Sequence, residues 1–153
     1  MTDHTHSVQI TTLNTLIATL ADSITGYEDA AANIEGTHRL HQLFSDRASE
    51  RRGVVEELRA EVRRLGGDPE DSGTFLGKVH QRFLDLKAAI AGRDEKVIVD
   101  EVERGEDYLK EKFEAALKSG YLSNDVRAVV ERANQSVRSG HDQVSAIKHT
   151  LEA

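Results

Sequence analysis

The sequence predicts an all-α chain folded as one four-helix bundle. Its long helices are expected to run up, down, down and up, with a shorter crossover helix between the second and the third. Three observations carry this expectation. Alanine, leucine, glutamate, arginine and lysine are abundant, tryptophan is absent and proline occurs once. Apolar residues recur at the i, i+3, i+4, i+7 spacing of a helix face over most of the chain. The stretch Gly66-Gly67-Asp68-Pro69-Glu70-Asp71-Ser72-Gly73 interrupts that pattern near the middle, with the one proline and three of the eleven glycines. Glycine pairs and proline end helices and supply turns.

The chain has 153 residues, long enough to bury a real core as a single domain. Residues 1–6 are polar and are expected to be a disordered terminus, with the bundle domain over 7–153. No stretch approaches the ~20 apolar residues that span a bilayer, so no membrane partner is expected. The start has no basic and then apolar run of a secretory signal. With no cysteine there is no disulfide, thiolate site or thiol nucleophile, which fits a cytoplasmic protein. A formal charge of −7 argues against nucleic acid, because phosphate binding needs a basic surface. Basic pairs such as Arg51-Arg52 and Arg63-Arg64 sit among glutamates and read as solvated helix faces.

The first helix is expected from about Ser7, a possible N-cap, to Ile34. Leu13, Leu16, Ile17, Leu20, Ile24, Tyr27 and Ala31 line its apolar face, and Gly36 closes it. Thr37 can cap the second, about His38 to Leu65. Its stripe takes in Leu40, Leu43, Phe44, Ala48, Val54, Val55, Leu58 and Val62. Arg63 and Arg64 suit the negative end of its dipole, and Gly66-Gly67 stop it. The short junction between these two makes them antiparallel neighbours.

Ser72-Gly73-Thr74 opens a shorter helix over about 75–90, ended by Gly92. At ~1.5 Å per residue it spans roughly 24 Å, most of the bundle's length. It can therefore carry the chain back to the end where the second helix began. The third helix runs from about Asp94 to Lys118, through Ile98, Val102, Leu109 and Phe113, and stops at Gly120. Ser123-Asn124-Asp125 offer caps for the fourth, which continues through Val126, Val130, Val137, Val144 and Leu151. The second and third helices are then parallel, the one-crossover pattern of ferritin-like folds; a crossover segment folded sideways would remove this inference.

Ferritin-like carboxylate sites use a Glu from each of two helices and a Glu-x-x-His from each of the other two. Here each such motif is half present. Glu50-Arg51-Arg52-Gly53 has glycine in place of the histidine, and Arg138-Ser139-Gly140-His141 has arginine in place of the glutamate. At ~1.5 Å per residue, Glu50, Glu106 and His141 fall within roughly 3 Å of one level. Two readings stand. One is a polar layer in which Glu106 and Glu50 bond to His141, Arg51 or Tyr27 across the core, since buried polar groups need partners. The other is a metal-carboxylate site on Glu50, Glu106 and His141, with Glu103 nearby. Gly26, Gly53, Gly105 and Gly140 lie inside the long helices, at roughly 1 kcal/mol each against alanine. They suggest close helix approach, or room for a bulky side chain or an apolar ligand. His38-x-x-His41 lacks further ligands nearby and reads as exposed.

Several segments together resemble a bacterial family. They are Leu13-Asn14-Thr15-Leu16-Ile17, Glu57-Leu58-Arg59-Ala60-Glu61-Val62-Arg63-Arg64-Leu65-Gly66-Gly67 with Asp68-Pro69-Glu70-Asp71-Ser72-Gly73, Asp85-Leu86-Lys87-Ala88-Ala89-Ile90, and Glu103-Arg104-Gly105-Glu106-Asp107. The chain resembles the small ferritin-like four-helix-bundle proteins of a domain-of-unknown-function family common in proteobacteria. The resemblance implies a ferritin-like fold and adds no activity. Wider ferritin-like proteins bind iron and scavenge peroxide, but their double Glu-x-x-His is not intact here.

The expected function is accordingly that of a non-enzymatic, stress-associated binding module without a cofactor, which self-associates as a dimer or other homo-oligomer or takes a protein partner. The alternative is an iron-binding or peroxide-handling protein that holds iron or another divalent metal at a degenerate site.

Overall fold

The computed structural model describes residues 2–34, 38–70 and 95–152. These form four α-helices: α1 (Thr2–Asn33), α2 (His38–Arg64), α3 (Glu95–Lys118) and α4 (Asn124–Glu152). The described residues contain no strand. The expected crossover helix at 75–90, its boundaries at Ser72-Gly73-Thr74 and Gly92, and the junction residues Gly36 and Thr37 lie outside the described residues.

Helix α1 begins five residues before Ser7, the residue expected to cap it, and so takes in residues 2–6. Helix α2 ends where the glycine pair predicts. Gly66 adopts a φ of 89°, the left-handed region open to glycine. The Gly66 amide donates to Arg63 O and the Gly67 amide to Val62 O, which closes the helix with two otherwise orphaned carbonyls satisfied. Gly67 also lies so close to Ile10 that a Cβ there would stand 2.8 Å from Ile10 Cγ2. Beyond it, Asn14 holds the departing chain: its Nδ2 donates to Asp68 O and its Oδ1 accepts from the Glu70 amide. Gly120, with a φ of 80°, ends α3 in the same conformation. Ser123 caps α4, its Oγ accepting from the Val126 amide.

Helices α1 and α2 run in opposite directions side by side. Ile10 and Asn14 meet the end of α2, while Tyr27 packs on Phe44 near its start, ring centroids 5.6 Å apart. Helices α3 and α4 are likewise antiparallel, with Asp107 bonded to His141 and Glu103 to Lys148. Gln9 and Thr12 join the two pairs: Gln9 Oε1 accepts from the Ser123 amide, and Thr12 Oγ1 bonds to Tyr121 Oη.

The interior divides into two apolar clusters. The larger includes Leu13, Leu16, Ile17, Leu20, Leu58, Val62, Leu109 and Phe113, all essentially inaccessible to solvent. The smaller is built on Tyr27, Phe44, Ile98 and Val99 with the small residues Ala30, Ala31 and Ala48. Full burial of a leucine or phenylalanine stabilises by about 1.5–3 kcal/mol. Among the described residues, no helix is long and apolar enough to cross a membrane.

Candidate functional site: a polar layer at mid-bundle

Each helix places a residue on its core-facing stripe where the two apolar clusters meet. On α1 the stripe reads Leu13, Leu16, Leu20, Ser23, Tyr27, Ala30. On α2 it reads Phe44, Ala48, Arg51, Val55, Leu58, Val62. On α3 it reads Val99, Val102, Glu106, Leu109, Phe113, and on α4 Ala133, Val137, Gly140, Val144. The steps alternate between three and four residues, the spacing that keeps one helix face turned to its neighbours. Ser23, Arg51, Glu106 and Gly140 are the four breaks in otherwise apolar or aromatic rows.

These four meet. Arg51 is fully buried and Glu106 is 2 % exposed. Their contact is bidentate, Nη1 to Oε1 at 2.9 Å and Nη2 to Oε2 at 2.7 Å. Nη1 also donates to Ser23 Oγ at 2.7 Å. The guanidinium carbon stands 5.6 Å from the centroid of the Tyr27 ring, a cation–π contact. Gly140 supplies the space. A Cβ at that position would run into Arg51 Nη2, and would lie 2.9 Å from Glu106 Oε2 and 3.3 Å from Arg47 Nε. Gly140 thus makes room for a bulky side chain, one of the roles expected for the helix glycines. Gly53 and Gly105 have nothing within 4 Å of an added Cβ.

The electrostatics follow from burial. Burial works against a charged guanidinium, but the carboxylate of Glu106 outweighs it and raises the Arg51 pKa above its ordinary value. Burial pushes the Tyr27 phenol well above its usual value, and the Glu106 charge adds to the effect. Two buried atoms of the layer, Tyr27 Oη and Arg51 Nε, make no hydrogen bond of good geometry among the described residues.

Of the four residues expected to form a metal site, only Glu106 lies in this layer. Glu50 turns to the outer side of the bundle. Its Oε1 accepts from Arg47 Nη1 and from Ser136 Oγ, each at 2.6 Å, and Arg47 Nη2 donates to Gln143 Oε1 at 2.6 Å. Partial burial raises the Glu50 pKa, but the bonds from Ser136 and Arg47 outweigh it and the net shift is downward. Glu103 sits against Lys148 Nζ at 2.9 Å, with Asp100 at 3.1 Å from the same nitrogen. The hydrogen bonds to Glu103 and Asp100 raise the Lys148 pKa. His141 bonds through Nε2 to Asp107 at 2.6 Å and through Nδ1 to Asp142 at 3.2 Å. The described residues contain no group of three or more His, Asp or Glu side chains placed to hold a metal ion.

Arg51 decides between the two places the sequence offered it, a solvated face beside Arg52 and a bond to Glu106 across the core, in favour of the second. Arg51 is buried, whereas Arg52 reaches outward to Glu28. The signal was present: Arg51 lies seven residues after Phe44 and seven before Leu58. Likewise the core position between Val137 and Val144 belongs to Gly140, one residue before His141. His41 makes its bond with the end of α1, Nδ1 lying 2.5 Å from Ala31 O.

The guanidinium matched to the carboxylate ties α2 to α3, and its bond to Ser23 adds α1. Residues 8–119 match the family model described as a domain of unknown function (DUF2383). Among curated proteins, none matches the sequence. The match takes in Ser23, Arg51 and Glu106 and ends before α4, and on this basis the chain belongs to the family of that domain of unknown function, DUF2383.

Proposed function

We propose that this chain is a non-enzymatic, ferritin-like helical bundle that acts as a binding and self-associating module, its helices running up, down, down and up. The observation that carries the reading is the Arg51–Glu106 pair. A guanidinium stands at the mid-bundle level where a carboxylate site would hold its metal cation, and Glu106 gives both oxygens to it. The proposed helix order draws support from the ends. The start of α1 touches both the end of α2 and the turn between α3 and α4. The chain leaves at Glu70, beside Asn14, and re-enters at Glu95, which lines an opening with Leu43 and Ile147 at the other end. A connection between opposite ends is the single long crossover of a ferritin-like fold.

The test is elemental analysis of the untagged protein after anaerobic iron loading, together with its mass in solution over a range of concentrations. The expected outcome is no stoichiometric metal and a mass that rises with concentration. Stoichiometric iron, manganese or zinc, lost in a Glu106→Ala/His141→Ala variant, would overturn the reading in favour of a metal-carboxylate protein.

A further inference from the structure

The outer face shared by α2 and α4 carries a groove that the described residues do not fill. One opening of about 450 Å³ is lined by Arg39, Leu43, Asp46 and Glu50 of α2 and Gln143 of α4. A second of about 280 Å³ continues it past Leu40, Ala146, Ile147 and Leu151. Arg39, Leu43 and Gln143 line both, so the two form one trough. Its apolar floor, Leu43, Ile147 and Leu151, is the partly buried margin of the smaller core cluster.

The charges on its α2 side are ordered. Arg39 and Asp46 lie on either side of Leu43, and seven residues separate them, about two helical turns or ~10 Å. Both are exposed, and Arg39 has no ion-pair partner among the described residues. Among the described residues, Asp46 accepts only from Gln42 Nε2, on its own helix. A partner of a single charge sign would attract one end of this stripe and repel the other. A second α2 laid antiparallel satisfies both ends together: Arg39 of each copy faces Asp46 of the other, and the two Leu43 side chains meet beside the two-fold axis. This is the self-complementary, isologous arrangement of a two-fold dimer. A parallel pairing would set Arg39 against Arg39 and Asp46 against Asp46.

We propose that the α2/α4 trough is the surface on which a second copy of this chain docks, antiparallel along α2 with Leu43 at its centre. The proposal rests on the self-association reading above and gives it a face and an orientation.

Charge reversal tests it. Arg39→Asp and Asp46→Arg singly place like charges opposite each other twice per dimer, and each is expected to raise the dimer Kd about tenfold or more. The double variant Arg39→Asp/Asp46→Arg restores opposite charges and is expected to return the Kd to near that of the unaltered chain. The chain has no cysteine, so Leu43→Cys adds a single thiol. Under mild oxidation with oxidised glutathione it is expected to form a covalent dimer, while Glu57→Cys does not. Helical circular dichroism confirms that every variant folds. A dimer whose Kd ignores both reversals overturns this face but leaves self-association standing. A monomer at every concentration overturns both. A monomer that binds the apolar dye 1-anilinonaphthalene-8-sulfonate, and loses it in Leu43→Glu, makes the trough a small-molecule site and also overturns the proposal.

Discussion

The interior layer around Glu106 and the outer pairings of Glu50, Glu103 and His141 use the same kinds of side chain at neighbouring levels of one bundle, yet they do different physical work. Glu106 meets Arg51 with both partners essentially dry. His141 meets Asp107 with the aspartate half exposed, and Glu50 is itself about half exposed. What separates the two groups is a small rotation about a helix axis. Glu50 precedes Arg51 and His141 follows Gly140 by one residue, about 100° around the helix. That step moves a side chain from a site where a lost partner leaves a bare charge in the core to one where water replaces it.

The largest effect should therefore come from the interior. Glu106→Ala leaves Arg51 buried and unpaired and is expected to destabilise by about 3–5 kcal/mol in urea or thermal unfolding. Arg51→Met/Glu106→Leu, which removes both charges, is expected to regain most of that loss or more. A double variant as unstable as the single would break the distinction, because the layer would then matter for more than its charge. A smaller effect is expected at Gly140. Alanine is the better helix former, but its Cβ meets Arg51 and Glu106, so Gly140→Ala should cost about 1–3 kcal/mol. Gly53→Ala, facing open space, should instead gain up to about 1 kcal/mol.

The smallest effect belongs to the outer pairings. Partial burial lowers the His141 pKa, but its bonds to Asp142 and Asp107 outweigh this and raise it above the usual value. A raised histidine pKa contributes stability that is fully present below the unfolded value, about 6.5, and is lost as pH rises through the folded value. His141→Gln should thus lower the stability measured by unfolding at pH 5.5, by less than about 1 kcal/mol, and the difference should shrink toward pH 8.5. A loss that persists at high pH would give His141 a packing role and narrow the contrast with Glu106.

Four helices, the glycine stop after α2 and the serine cap of α4 were legible because each rests on local rules of periodicity and termination. The contents of the polar layer were only half legible. Glu106 could be found, because a carboxylate between Val102 and Leu109 is conspicuous in an apolar row. Its partner Arg51 could be named only as one candidate beside His141 and Tyr27, because Arg51 sits in a run of arginines and glutamates, where composition suggests solvent and only its heptad spacing from Phe44 and Leu58 says otherwise. Glu50 and His141 were placed at the right level but on the wrong side of their helices. Axial level follows from counting residues, whereas the angle around the axis depends on which stripe each neighbour buries.

The polar layer also sets which alignment of the helices is allowed. A bundle of purely apolar stripes can slide by one heptad, about 10 Å, and still bury leucine against leucine. Here a slide of α2 by seven residues would bring Arg51 level with Val99 or Phe113 in place of Glu106. The same slide of α4 would replace Gly140 with Ala133 or Ile147 beside the guanidinium. Each slipped register strands both charges in hydrocarbon or drives a side chain into Arg51. One layer of four residues, one from each helix, thus works as a key that only a single register fits.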